Sequence, residues 1–224
     1  MKRKLTLKCD FTEEEDEILK IISEILHKTK DVSIYHSWLK IIEPKELGAI
    51  LYHLLFSCRD FLGCIFTIMH DFGYHSAYIL GSSFVEYFID FSFILSKKEL
   101  VDSRAKEYFI AYENDKKPFS NDQEFKRIEK RAEDAGLGRL YEATYRSLCS
   151  FKHVNLKGYV VTRRDARLKE DRKKFLLQMA NIYLWMWKKL KNYLGNNLLD
   201  EKIISLLNIE LIEIGKLMRR YPSS

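Results

Sequence analysis

The sequence predicts an all-α protein, a single bundle of about seven helices around a central apolar hairpin. Three observations carry this. Only 9 glycines and 3 prolines occur in 224 residues, too few breakers for a many-turned sheet protein. Apolar residues recur at three- and four-residue spacing along most of the chain. Apolar residues make up 46% and charged ones 31%, a balance that fills a core and excludes a wholly disordered chain. No linker, repeat or low-complexity stretch divides the chain. Residues 12–224 are therefore read as one domain, with its core bundle at about 44–195, behind a basic lead-in over 1–11.

The elements are justified in chain order. Thr12-Glu13-Glu14-Glu15 matches a capping box, with Thr12 as cap and Glu15 three residues on. Ile18, Ile21, Ile22, Ile25 and Leu26 then recur at helical spacing, so a first helix is expected over about 13–30. Residues 31–43 form a connection holding Trp38. Pro44 opens the second helix, where its missing N–H costs nothing, and that helix reaches His70. Asp71-Phe72-Gly73 is the turn into a third helix, Tyr74 to Leu95. From Leu47 to Leu95 the only formal charges are Arg59, Asp60, Asp71, Glu86 and Asp90, whereas residues 96–140 carry 21. Helices this apolar are buried on most sides, so 44–95 is placed at the centre of the bundle or partly in a dimer seam.

Beyond residue 96 the expected helices are amphipathic. They run Lys97 to Asn114, Ser120 to Ala135, and 137 or 139 to 152 or 153. A loop with a short extended piece at 159–161 comes next. A long helix from Arg167 to Leu194 ends at Gly195, a natural C-cap. A last helix, Leu199 to Arg220, stops before Pro222.

Several function classes are excluded or weakened. The basic start has no apolar stretch behind it, unlike a secretory signal. Phe72 to Leu95 contains His75, Glu86 and Asp90, and its longest charge-free run falls short of the roughly 20 residues a spanning helix needs. No membrane partner is expected. Cys9, Cys58, Cys64 and Cys149 form no Cys-x-x-Cys pair and fit reduced thiols of a cytoplasmic protein. Glycine-rich phosphate loops are absent. A single Glu-x-x-His, Glu24 to His27, lacks the second copy that a di-iron bundle needs. No cofactor and no metal are expected.

The candidate chemistry lies in three places. His75, Ser82 and Glu86 share one face of the third helix, and Glu86 requires a partner such as Arg59, His75 or a later cation. That set reads either as a register-fixing polar network or as part of a site. Arg146 and His153 stand seven residues apart, on one helix face, with Ser150 between them. A guanidinium, an imidazole and a hydroxyl in one patch suit phosphodiester chemistry: the Arg holds a phosphate and the His moves a proton. Finally, Arg163 to Lys174 carries seven basic residues, among them Arg163, Arg164 and Arg167, against three acids. It reads as an RNA-tracking stripe or as a solvated helix start laced with ion pairs. The net charge of +6 permits a polyanion partner without requiring one. Trp185 and Trp187, with Tyr183, read as core or interface in preference to a base-stacking platform.

The Arg-x6-His pattern late in a helical bundle resembles the signature of the HEPN superfamily. The layout, with Glu86 in an early apolar helix and Ser150-x-x-His153 later, also resembles an uncharacterised bacterial helical family. The resemblance spans about residues 45–195. It implies an all-helical, often dimeric protein, and for many members a metal-independent endoribonuclease of a toxin or phage-defence system. Carried over, it makes Arg146, His153, Ser150 and Glu86 the catalytic set; with RNA as substrate, Arg163, Arg164 and Arg167 of the basic segment are the expected RNA contacts. It also implies RNA, a second copy of the chain and a protein antitoxin as partners. Active members often carry Asn, Asp or His directly after the Arg, where this chain has Ser147. Other members have lost activity, so a non-enzymatic dimerisation or partner-binding module stays open beside the nuclease.

Overall fold

The computed structural model describes residues 12–29, 42–71, 74–152, 165–195 and 216. Among the described residues all regular structure is helical. The order is α1 (Glu13–Lys28), α2 (Lys45–Asp71), α3 (Tyr74–Ile94), α4 (Val101–Glu113) after a single 3-10 turn at Lys98–Leu100, α5 (Ile128–Asp134), α6 and α7 (Asp165–Leu194). Helix α6 is continuous from Gly138–Leu140 through a π turn at Tyr141–Tyr145 to Arg146–Lys152. The expected turn at Phe72-Gly73, the loop at 154–164, and the last helix, save residue 216, lie outside the described residues.

Local chemistry sets the ends. Thr12 Oγ1 accepts from the Glu15 backbone N–H at 3.3 Å, and the Glu15 carboxylate accepts from the Thr12 N–H at 2.8 Å. That reciprocal pair satisfies two N–H groups that a helix start otherwise leaves orphaned. Pro44 lies just ahead of α2, and its carbonyl accepts from the N–H groups of Leu47 and Gly48. At the far end of α7 Gly195 takes φ +78° and closes the helix with an N–H bond to Lys191. Glycine reaches that left-handed conformation without a Cβ penalty.

The hairpin α2–α3 is central, and its two arms differ. Helix α2 buries one stripe, Leu47, Leu51, Leu54, Cys58, Leu62, Ile65 and Met69, at three- and four-residue spacing. Helix α3 is the axis: every residue from Phe88 to Ile94 is buried. Lys45–Met69 and Ser76–Ile94 are both long and apolar enough to cross a membrane. Their apolar windows are 39% and 72% buried within the protein, respectively. Helix α7 packs along α3 where Gly81 faces Phe175. A Cβ at residue 81 would stand 2.6 Å from the Phe175 ring and 3.4 Å from Leu148, so glycine is what lets α6 and α7 both close on α3.

The polar half departs from expectation at one element. A helix from Ser120 to Ala135 is predicted, but α5 occupies only Ile128–Asp134. Side chains compete for the backbone ahead of it. Asp122 Oδ1 accepts from the N–H groups of Glu124 and Phe125 at 2.8 and 2.9 Å. Arg131 Nη1 donates to the Phe125 carbonyl at 2.7 Å. Phe119, at φ +58°, is buried against Phe93 and Tyr108. An Asp that bonds the backbone two and three residues on favours a turn over a helix.

Candidate functional site

Helix α6 carries the described part of the predicted constellation. Its π turn inserts an extra residue and sets the direction of the helix beyond it, a device frequent at functional sites. Residues of α6 then divide between two faces. Inward, Thr144 is buried and accepts a hydrogen bond from Gln178 of α7. Leu148 is buried against α3, and Tyr145 reaches α3 with its hydroxyl, which donates to Glu86 Oε2 at 3.2 Å. The Tyr145 ring stacks on Tyr141 at 5.4 Å between centroids. Burial pushes the Tyr145 phenol up, and the neighbouring Cys149 and Glu86 push it further. It is a hydrogen-bond donor, not an anion, at any ordinary pH.

Outward, the Arg146 side chain is 63% exposed. Among the described residues its side-chain partner is Glu142, one turn back, at 2.8 Å. Ser150 lies one turn further on, and its hydroxyl donates to the Ser147 carbonyl at 2.7 Å. Helix α6 ends at Lys152, and His153 lies outside the described residues.

The structure therefore brings Arg146 and Ser150 onto one surface helix and places Glu86 on the inner side of that helix, against Tyr145. Glu86 is half-buried. Of the partners expected for it, Arg59 instead pairs with Asp60 at 3.5 Å, and the His75 side chain lies outside the described residues. Arg163 and Arg164 also lie outside them, and Arg167 falls on α7 with its side chain undescribed. Part of the basic segment is committed to packing. Arg172 donates to Glu15 at 2.9 Å, and Lys173 pairs with Glu14, so the two cations fasten α7 to the capped start of α1. Trp187 is buried, while Trp185 is 44% exposed with Lys188 over its ring at 5.7 Å.

Sequence reasoning missed the partners of the buried charges. Asp90, one turn beyond Glu86, is 5% exposed and accepts from Arg131 Nε at 2.6 Å, with Arg131 1% exposed. Arg104 donates to the Phe93 carbonyl, to Ser96 and to Asp134, with its guanidinium 3.7 Å from the Phe93 ring centroid. An acid inside the apolar run that ends at Ile94 was a signal for the first pair: a carboxylate at the most apolar stretch demands a cation more than one near its margin does. No family model, no curated protein and no solved structure matches this chain. Among the described residues no three His, Cys, Asp or Glu side chains gather as metal ligands.

Proposed function

We propose that this is a HEPN-like helical protein that cleaves RNA without a metal, with α6 as its catalytic helix. The observation that supports this reading is the exposure of Arg146. A guanidinium at 63% exposure, paired among the described residues with a same-helix acid that is itself 53% exposed, can exchange that acid for a phosphate. A structural arginine tied into Glu86 could not. Ser150 and then His153 come next on the same segment of chain.

In this reading the 2′-hydroxyl oxygen attacks the adjacent phosphorus, and the bond from phosphorus to the 5′-oxygen breaks. The proton leaves the 2′-oxygen and another is supplied to the departing 5′-oxygen, with His153 as general base or acid. Arg146 opposes the charge that grows on the non-bridging oxygens. Ser150 orients one of the two. Glu86 acts at a remove, holding Tyr145 and through it the angle of α6. The products are a 2′,3′-cyclic phosphate and a 5′-hydroxyl. RNA contact by Arg163, Arg164 and Arg167, cytoplasmic location, pairing of two copies and a protein antitoxin belong to the same proposal.

The test is incubation of wild-type, Arg146→Ala and His153→Ala proteins with mixed-sequence RNA in excess chelator. Cleavage by wild-type alone, leaving cyclic-phosphate ends, is the expected result. Equal cleavage by all three sinks the site assignment. A second reading, a non-enzymatic module that pairs with another copy, draws on the exposed Trp185 of α7, since exposed tryptophan is enriched at interfaces. Absence of cleavage by all three, with a dimer that Trp185→Ala dissolves, would favour it.

A further inference from the structure

A cleft of about 470 Å³ lies between α4 and the loop that comes after it, away from α6. Its volume falls in the range of small-molecule sites. One wall is the α4 face that carries Lys106, Glu107 and Ile110; the other is the chain that comes after it, with Asn114, Lys116 and Asn121. The loop is bent at two residues and held by an anchor. Asp115 and Phe119 both sit at positive φ, +52° and +58°, conformations that non-glycine residues hold only where the surroundings enforce them. The enforcement comes from Phe119, buried in the core between Phe93 and Tyr108, and from the Lys116 N–H bond to the Ala111 carbonyl at 2.9 Å.

Asn114 in this cleft is spent on the Ile110 carbonyl at 2.7 Å, but the cleft's three charged groups are not. Among the described residues, neither Lys106 nor Lys116 meets a carboxylate, and Glu107, half-buried, accepts no hydrogen bond. Burial pushes the Glu107 carboxyl up, and the nearby Asp122 charge adds to this, so this end of the cleft is short of a cation or a donor. Ile110, 50% exposed, adds an apolar surface on the α4 wall. Two ammonium groups, one carboxyl with a second acid beside it, and an apolar ledge complement a ligand that carries both charges.

The geometry points to a binding site for a zwitterionic α-amino acid with an apolar side chain. The ligand's carboxylate pairs with Lys106 and Lys116, its ammonium with Glu107, and its side chain packs on Ile110. The readout is binding, which is independent of any RNA chemistry, so this inference and the nuclease reading fail separately.

The experiment is calorimetric titration of the full chain with L-phenylalanine and L-leucine, beside phenethylamine and 3-phenylpropionate, which each keep one charge. Saturable binding of an amino acid at or below about 1 mM is expected, with each half-molecule at least about tenfold weaker. Lys106→Ala/Lys116→Ala and Glu107→Gln, all changes away from the core, are each expected to weaken it at least about tenfold with the helical circular dichroism retained. No saturable binding of either amino acid overturns the inference. So does 3-phenylpropionate binding as tightly as phenylalanine, or binding that survives both sets of substitutions.

Discussion

Two arginine–aspartate pairs clamp the short helix α5 to the rest of the bundle, and they are built on opposite principles. Asp90 and Arg131 meet in the interior. Asp90 accepts a hydrogen bond from Arg131, and burial pushes its carboxyl up to about 6 against the pull of that guanidinium. Asp134 lies nearer the rim. Burial pulls its carboxyl up as well, but hydrogen bonds from Lys97, Ser96 and Arg104 outweigh that and hold it below the ordinary aspartate value. Each aspartate has its arginine within 3.0 Å. What separates them is the number of donors per carboxylate and the depth at which they meet. A cation in contact does not by itself hold a buried acid at its ordinary pKa; a full set of donors does.

The largest expected effect comes from breaking the interior pair. Arg131→Ala leaves Asp90 buried without that donor, frees the Phe125 carbonyl and removes the guanidinium lying 5.4 Å from the Phe119 ring centroid. Removal of one partner from a buried pair costs about 3–5 kcal/mol. Urea unfolding at neutral pH should show a loss of that order. Asp90→Asn in the same background should recover part of it, because a neutral amide needs no counter-charge. A loss below about 1 kcal/mol for Arg131→Ala would place the pair in the class of surface ion pairs and erase the contrast.

The titration of the two acids should have opposite signs. Asp90 has its folded pKa raised, to about 6 from an ordinary 3.8, so between those values the folded chain binds more protons than the unfolded one. Its contribution to stability is fully present below about 3.8 and is lost as pH rises through about 6. Asp134 has its folded pKa lowered. Its contribution is present above 3.8 and is lost as pH falls below that value. Carboxyl carbon shifts followed by NMR should therefore show Asp90 titrating late and Asp134 early. In urea melts, Asp90→Asn should flatten the decline in stability between about pH 4 and 6. A single shared midpoint for both carboxyls would break the comparison.

These pairs also mark the limit of what was legible in the sequence. Local rules carry far: the capping box at Thr12, the glycine stop at Gly195 and the charge-poor stretch 47–95 are written in a few adjacent residues, and the structure places α1, α7 and the hairpin accordingly. Long-range partners are not written there. Asp90 and Arg131 are 41 residues apart, and Arg104 and Asp134 are 30 apart, so nothing in their neighbourhoods names the match. The start of α5 escaped for a related reason. Charge and composition favour a helix from Ser120, but Phe119 finds a core slot and Asp122 captures two backbone N–H groups, which only the folded context reveals. At the candidate site, the spacing from Arg146 to Ser150 was legible as one helix face. That Glu86 answers to Tyr145 was not, because the π turn shifts the register between residues 141 and 145.

The smallest effect sharpens the contrast most. Lys97 also pairs with Asp134, and its side chain is 45% exposed. In that setting water already solvates the ammonium, and holding a long side chain in one geometry consumes rotamer entropy. Lys97→Ala should cost less than about 1 kcal/mol in urea unfolding. It should still raise the Asp134 pKa, because the carboxylate loses one donor while Arg104 and Ser96 remain. A measurable pKa change with little stability change is the behaviour of a rim contact that tunes charge without holding the fold. If Lys97→Ala instead cost as much as Arg131→Ala, depth would not be what separates the two pairs, and α5 would be held by its exposed end.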